Sequence, residues 1–246
     1  MNKAVIVIPA RYGSSRLPGK PLLDIVGKPM IRHVYERALQ VPDVAQVWVA
    51  TDDARVEAVV KGFGGQVVMT RADHESGTDR LVEVMQTVDA DIYINLQGDE
   101  PLIRPQDVAH LVQGMRADPT LPVATLCHAI SADEALEASC VKVVLNTRRD
   151  ALYFSRSPIP YPRNADKVRY LKHVGIYAYR REVLQNYSQL PEAMPEQAES
   201  LEQLRLMHAG IGIRAFEVQP TGPGVDTPAC LEKVRALMAS EGAFAK

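Results

Sequence analysis

The sequence predicts an α/β fold of three layers, with a mostly parallel central sheet between helices and an antiparallel excursion in the second half. Three observations predict it. In the first half, short apolar runs alternate with apolar residues at helical spacing, the rhythm of βαβ units and parallel strands. The opening run, Ala4-Val5-Ile6-Val7-Ile8, has no polar face, as a strand covered on both sides requires. The second half then breaks that rhythm with paired strand-like runs and a proline-rich stretch.

The elements follow in order. After Ile8 a loop rich in Gly, Pro and Arg runs to about Gly27. Met30, Ile31, Val34, Tyr35, Ala38 and Leu39 recur at helical spacing, with Pro29 suited to a first turn. Val47–Ala50 reads as the second strand and Arg55–Gly62 as the next helix, which Gly64-Gly65 ends by tolerating a left-handed exit. Val67–Met69 is a third strand. Thr78 is the expected cap of a helix carrying Leu81, Val82, Met85 and Val88. Ile92–Leu96 is a fourth strand. Ser131 and Glu134 fit a capping box. Val141–Leu145 and Ala151–Ser155 flank a polar turn and suggest a hairpin. Pro158, Pro160 and Pro162 keep the next stretch extended. His173–Tyr179 reads as a strand, and Leu201, Leu204 and His208 share a helical face. Ala215–Val218 is a late strand, and Thr227-Pro228 opens a terminal helix.

Composition narrows the function. Of 246 residues, 46% are hydrophobic and 24% charged, which supports a packed core and excludes a mainly disordered chain. Lys and Arg number 28 against 30 Asp and Glu, so no global charge favours nucleic acid and any anion site must be local. The first apolar run is too short for a signal peptide or a membrane span. Cys127, Cys140 and Cys230 are scattered and odd in number, which speaks against a disulfide framework or a structural zinc. A reducing cytoplasmic setting is expected.

Open parallel sheets bind ligands beyond the carboxyl ends of their strands. The segment leaving the first strand is Pro9-Ala10-Arg11-Tyr12-Gly13-Ser14-Ser15-Arg16-Leu17-Pro18-Gly19-Lys20-Pro21. Gly13 and Gly19 let backbone N–H groups approach an anion, Ser14 and Ser15 add hydroxyls, and Arg11, Arg16 and Lys20 bring positive charge without a negative neighbour. Such a cluster suits a triphosphate. It is not a Walker A loop, because Pro18 stands where the second glycine is due and Pro21 follows Lys20. A Gly-x-Gly-x-x-Gly fingerprint is also absent, which disfavours a dinucleotide oxidoreductase.

This loop resembles the signature loop of the sugar-acid cytidylyltransferases. The resemblance continues through Ala50-Thr51-Asp52, Met69–His74, Ser76-Gly77-Thr78, Gln97-Gly98-Asp99-Glu100-Pro101, Ala151–Arg156, Gly175-Ile176-Tyr177, Leu201–Arg205 and Gly224–Pro228. It implies a nucleotidyltransferase fold spanning residues 1–246 as a single domain. The core would be about 1–130 and 210–246, and a sugar-acid and dimer subregion about 131–209. It also implies transfer of CMP from CTP to the anomeric hydroxyl of 3-deoxy-manno-octulosonate, with release of pyrophosphate, for lipopolysaccharide assembly. Related acceptors, an 8-amino form or sialic acid, are the alternatives, as is a non-catalytic nucleotide-binding domain. No nucleic-acid or membrane partner is expected.

Residue roles follow from the same resemblance. Ala10, Arg11, Gly13, Ser14, Arg16, Lys20, Arg71 and Ser76 would hold the nucleotide, with Arg16 and Lys20 also catalytic. Taken alone, Asp99 serves equally as a strand-end turn carboxylate, and Asp226 as a helix cap beside Thr227. The resemblance makes both catalytic and gives them a shared Mg²⁺. That chemistry is sound, because Mg²⁺ needs only one or two protein carboxylates beside phosphate and water. Gln97, Arg156, Arg163, His173, Tyr177, Glu202 and Gln203 would read the sugar acid, whose carboxylate needs a cation and whose hydroxyls need polar partners. The connection between Arg163 and His173 is shorter than that family's pattern. A homodimer is also implied, and the apolar Val143, Val144 and Tyr153 serve equally as its interface or as internal core.

Overall fold

The computed structural model describes residues 3–13, 17–74 and 76–244. Ser14, Ser15 and Arg16 lie outside the described residues. The order is β1 (Ala4–Pro9), β2 (Asp24–Ile25), β3 (Lys28–Pro29), α1 (Met30–Ala38), β4 (Gln46–Thr51), α2 (Ala54–Gly62), β5 (Gln66–Met69), α3 (Gly77–Val84) and β6 (Ile92–Asn95). It continues with α4 (Pro105–Ala117), β7 (Val123–Ile130), α5 (Ala132–Leu136), β8 (Lys142–Leu145), β9 (Ala151–Ser155) and β10 (Tyr170–Arg180). It ends with α6 (Arg181–Asn186), α7 (Met194–Glu199), α8 (Gln203–His208), β11 (Ile213–Glu217) and α9 (Pro228–Phe244).

The main sheet runs β11-β7-β10-β6-β1-β4-β5, and β8 and β9 form a hairpin beside β10. Strands β5, β4, β1 and β6 are mutually parallel. β10 is antiparallel to β6 and to β7, and β11 returns parallel to β7. The fold class read from the sequence therefore stands. The antiparallel β10 is set between β6 and β7, inside the main sheet.

Strand alternation builds the layers. Ala4, Ile6 and Ile8 face the side covered by α1, α2 and α4, where Ile31, Val34, Val56, Val60, Leu111 and Met115 are buried. Val5 and Val7 face the opposite side, closed by Leu81 and Val84 of α3, Leu184 of α6 and Leu204 of α8. A smaller cluster of Ile25, Met30, Val225, Leu231 and Val234 seats α9 against β2 and the start of α1. No helix among the described residues is long and apolar enough to cross a membrane.

One expectation changes here, and one open choice is decided. Ser76, not Thr78, caps α3: the Asp79 N–H donates to the Ser76 hydroxyl, and Asp79 reaches back in a full capping box. Thr78 sits in the first turn and is fully buried. Val143 belongs to the core, which leaves Tyr153 and its neighbour Leu152 as exposed apolar side chains of the hairpin.

Candidate active site

β1 lies between β4 and β6, and the chain reaches these neighbours by moving in opposite directions across the sheet. A crevice opens at such a switch point, beyond the strand ends. The loops after β1 and β6 meet there closely. A Cβ at Gly98 would fall 2.8 Å from the Pro9 carbonyl oxygen, so glycine is required by the neighbouring backbone. This glycine therefore makes room for the end of β1. The resulting cavity, of about 360 Å³, is lined by Arg11, Lys20, Gln97, Asp99, Glu202 and Asp226 among others.

Lys20 is delivered by a tight turn. Gly19 takes φ 69°, a left-handed conformation, against the Tyr12 ring, and its N–H donates to the Tyr12 carbonyl at 3.1 Å. A single 3-10 turn, Lys20–Leu22, follows. The Lys20 ammonium then lies 2.5 Å from Asp99 Oδ2 and 3.3 Å from Asp226 Oδ1. Asp226 is brought in by its neighbour: Val225 is fully buried in the α9 cluster, and its N–H donates to the Asp99 carbonyl at 2.9 Å. Thr227 supplies the side-chain cap of α9, through the Cys230 N–H.

The two carboxylates therefore converge on one cationic group. Among the described residues no cluster of three or more His, Cys, Asp or Glu is arranged to hold a metal ion. Two carboxylates in a cleft large enough for phosphate oxygens and water still match the oxygen donor set of Mg²⁺. Glu100, absent from the sequence-derived site, lies behind them. Burial pushes its carboxyl up to about 8, and the charge of Asp99 adds to the shift. A Cβ at Gly224 would fall 3.0 Å from Glu100 Oε1, so the loop that carries Asp226 is fitted closely to this side chain.

A second cavity, of about 720 Å³, adjoins the first and shares His74, Ser76 and Glu202 with it. Arg71 lines this second space, paired with Asp73 at 2.6 Å, and His74 hydrogen-bonds Glu83. Glu202 forms the wall between the two. Its Oε1 accepts from the Thr78 hydroxyl at 2.8 Å, while burial holds its carboxyl above the ordinary range.

The chain as a whole has sequenced and solved counterparts. The sequence profile of the cytidylyltransferases matches residues 5–213. The chain belongs to the cytidylyltransferase family. A 3-deoxy-manno-octulosonate cytidylyltransferase from Escherichia coli is 83% identical over 241 residues, 98% of each chain. One from Syntrophus aciditrophicus is 46% identical, over 97% of this chain and 98% of that one. A solved structure of a CMP:2-keto-3-deoxy-manno-octonic acid synthetase complexed with CTP superposes with a TM-score of 0.96 at 84% identity, covering 97% and 99% of the two chains.

In this cytidylyltransferase the expected nucleotide residues fall as follows. Ala10, Arg11, Lys20 and Ser76 line the smaller cavity, and Arg71 and Ser76 line the larger. Gly13 lies in the described part of the loop with open space where a Cβ would stand. The sugar-acid set divides. Gln97 and Glu202 line the smaller cavity. Tyr177, His173 and Gln203 are buried and line neither. The Tyr177 hydroxyl and Gln203 Nε2 have no hydrogen-bond partner among the described residues. His173 stands against Phe154 and Tyr177, with Nε2 3.1 Å from the Thr125 hydroxyl. Arg156 donates to the carbonyls of Glu199, Ala138 and Ser200, so its guanidinium locks the approach to Glu202 and does not line the cleft. Arg163 is exposed and likewise lines neither cavity.

Proposed function

We propose that this cytidylyltransferase transfers CMP from CTP to the anomeric hydroxyl of 3-deoxy-manno-octulosonate, forming CMP-Kdo and pyrophosphate. One observation carries the chemistry: the ammonium of Lys20 and the carboxylates of Asp99 and Asp226 meet at the strand-end crevice. The named relatives, matched over nearly their full length, supply the substrates. Nucleotidyl transfer needs the triphosphate charge neutralised and the attacking hydroxyl held in line with the leaving pyrophosphate. Lys20 and Arg11 take phosphate oxygens. Arg71 and Ser76 bound the space beside the base. Gln97 and Glu202 orient acceptor hydroxyls. Asp99 and Asp226 would hold Mg²⁺, which supplies charge neutralisation and polarises the phosphoryl oxygens when bound.

The enzyme works in this reading as a cytoplasmic homodimer whose product feeds lipopolysaccharide assembly. Pyrophosphate release tests the central claim. Protein, CTP, Mg²⁺ and 3-deoxy-manno-octulosonate together should yield stoichiometric pyrophosphate, and omission of the sugar acid should abolish it. No release across pH 6–9 would overturn the reading. Turnover with sialic acid in preference to the proposed acceptor would reassign the substrate.

A further inference from the structure

We propose that Thr78 is a positioning residue for Glu202, and that the hydroxyl chain Tyr179–Thr78–Glu202 sets which carboxylate oxygen meets the acceptor sugar. The inference rests on reading this cleft as the sugar-acid site. Thr78 is fully buried, yet its hydroxyl has no part in capping α3, because Ser76 fulfils that duty. Instead Thr78 Oγ1 lies 2.8 Å from Glu202 Oε1 and 3.4 Å from the Tyr179 hydroxyl. Glu202 precedes α8 at the cap position but makes no side-chain cap bond there. Its carboxylate is committed across the fold, to a residue 124 positions earlier in the chain.

A threonine hydroxyl has one proton to give. An ionised carboxylate can only accept, so Thr78 donates to Glu202 and must receive from Tyr179. The order of donors is therefore fixed along the chain. Hydroxyls aligned this way polarise one another, and each fixes the rotor of the next. Oε1 of Glu202 is held by Thr78, the Ser76 side chain is a second partner of the carboxylate, and the acceptor positions that these leave would meet a hydroxyl of the acceptor. Glu202 lines both cavities, so a rotation of its carboxylate would alter the surface that a polyhydroxylated ligand meets.

Thr78→Val keeps the branched shape and removes the donor; Thr78→Ser keeps the donor. Steady-state kinetics with CTP and 3-deoxy-manno-octulosonate separate the effects. Thr78→Val should raise the acceptor KM about ten-fold, the loss of one hydrogen bond to a charged group, and leave the CTP KM unchanged. Thr78→Ser should restore the acceptor KM, and Tyr179→Phe should raise it by less than Thr78→Val does. An unchanged acceptor KM in Thr78→Val would overturn the proposal. So would a joint rise of both constants with a lowered Tm, or a Thr78→Ser variant as impaired as Thr78→Val. Wild-type protein that binds CTP but turns over no sugar acid would instead overturn the functional reading beneath it.

Discussion

Lys20 holds two acidic side chains that the chain keeps far apart in sequence, and this sets what each substitution should do. Removing the ammonium takes a shared cationic partner from Asp99 and Asp226 and, in the proposed site, a contact to phosphate. Lys20→Ala should therefore raise the CTP KM by roughly ten-fold or more and leave the sugar-acid KM nearly constant; equal rises in both would remove Lys20 from the triphosphate site. Asp99→Asn and Asp226→Asn preserve shape and should each cut kcat by about a hundred-fold or more, with the urea midpoint retained. Turnover at the wild-type rate in either variant would take that residue out of the catalytic set. His173 makes a prediction of a different kind. Burial pushes its imidazole from 6.5 down to about 3, with Lys172 adding repulsion. The folded protein thus keeps His173 neutral where the unfolded chain protonates it. This contribution to stability is intact above pH 6.5 and is lost as pH falls toward 3. Its slope is roughly 1.4 kcal/mol per pH unit. His173→Gln should flatten that part of the acid limb in urea unfolding; a stability difference from wild type that is constant from pH 7 to pH 4 would refute the assignment. The site residues were unequally legible. Lys20, Asp99 and Asp226 sit beside glycines and prolines at element ends, where sequence marks the turn. Glu202 was named through the resemblance, whereas Thr78 and Glu100 act through contacts between distant segments that no local pattern announces.

At the level of elements, the parallel strands were readable because each is apolar on both faces and is followed by a helical stripe. β7 was not. Val123-Ala124-Thr125-Leu126-Cys127-His128 interleaves buried polar and apolar residues, and Thr125 finds its partners only after β10 arrives. Thr125 shows why: its hydroxyl donates to the Val174 and Ile176 carbonyls, at the point where the β7–β10 register shifts. The cap of α3 was misplaced by two residues because Ser76 and Thr78 are both good caps, and only tertiary contact assigns Thr78 to Glu202. The same logic gives Gly98 its role. It lets the β6 loop rest on the end of β1, and that contact sets the width of the crevice. Gly98→Ala should cost about 1–3 kcal/mol in urea unfolding, because backbone rather than a movable side chain receives the new methyl. It should also lower kcat/KM for CTP. A stable, fully active Gly98→Ala protein would show that the two loops are free to separate.

Across the whole molecule, β9 is an edge strand that carries exposed apolar side chains. β9 pairs with β8 on one side, and an isolated bridge from Asp150 to Arg214 is the nearest contact of its start to β11. Leu152 and Tyr153 of this strand are exposed, at 58% and 37%. Tyr161, in the loop that follows, is 83% exposed. Edge strands carrying apolar side chains invite pairing or must be covered. The proposed homodimer accounts for them if the hairpin of each protomer shields the other, since one self-complementary patch then buries both copies. The crevice proposed to take CTP lies at the strand ends around β1, in a separate part of the sheet, so assembly and CTP binding should be separable. Leu152→Glu places a charge in the proposed interface and should raise the dimer dissociation constant at least about ten-fold, with the CTP KM unchanged. Sedimentation equilibrium over a concentration series decides it. A wild-type protein that sediments at the monomer mass throughout would remove the dimer, and a Leu152→Glu protein as dimeric as wild type would move the interface away from β9.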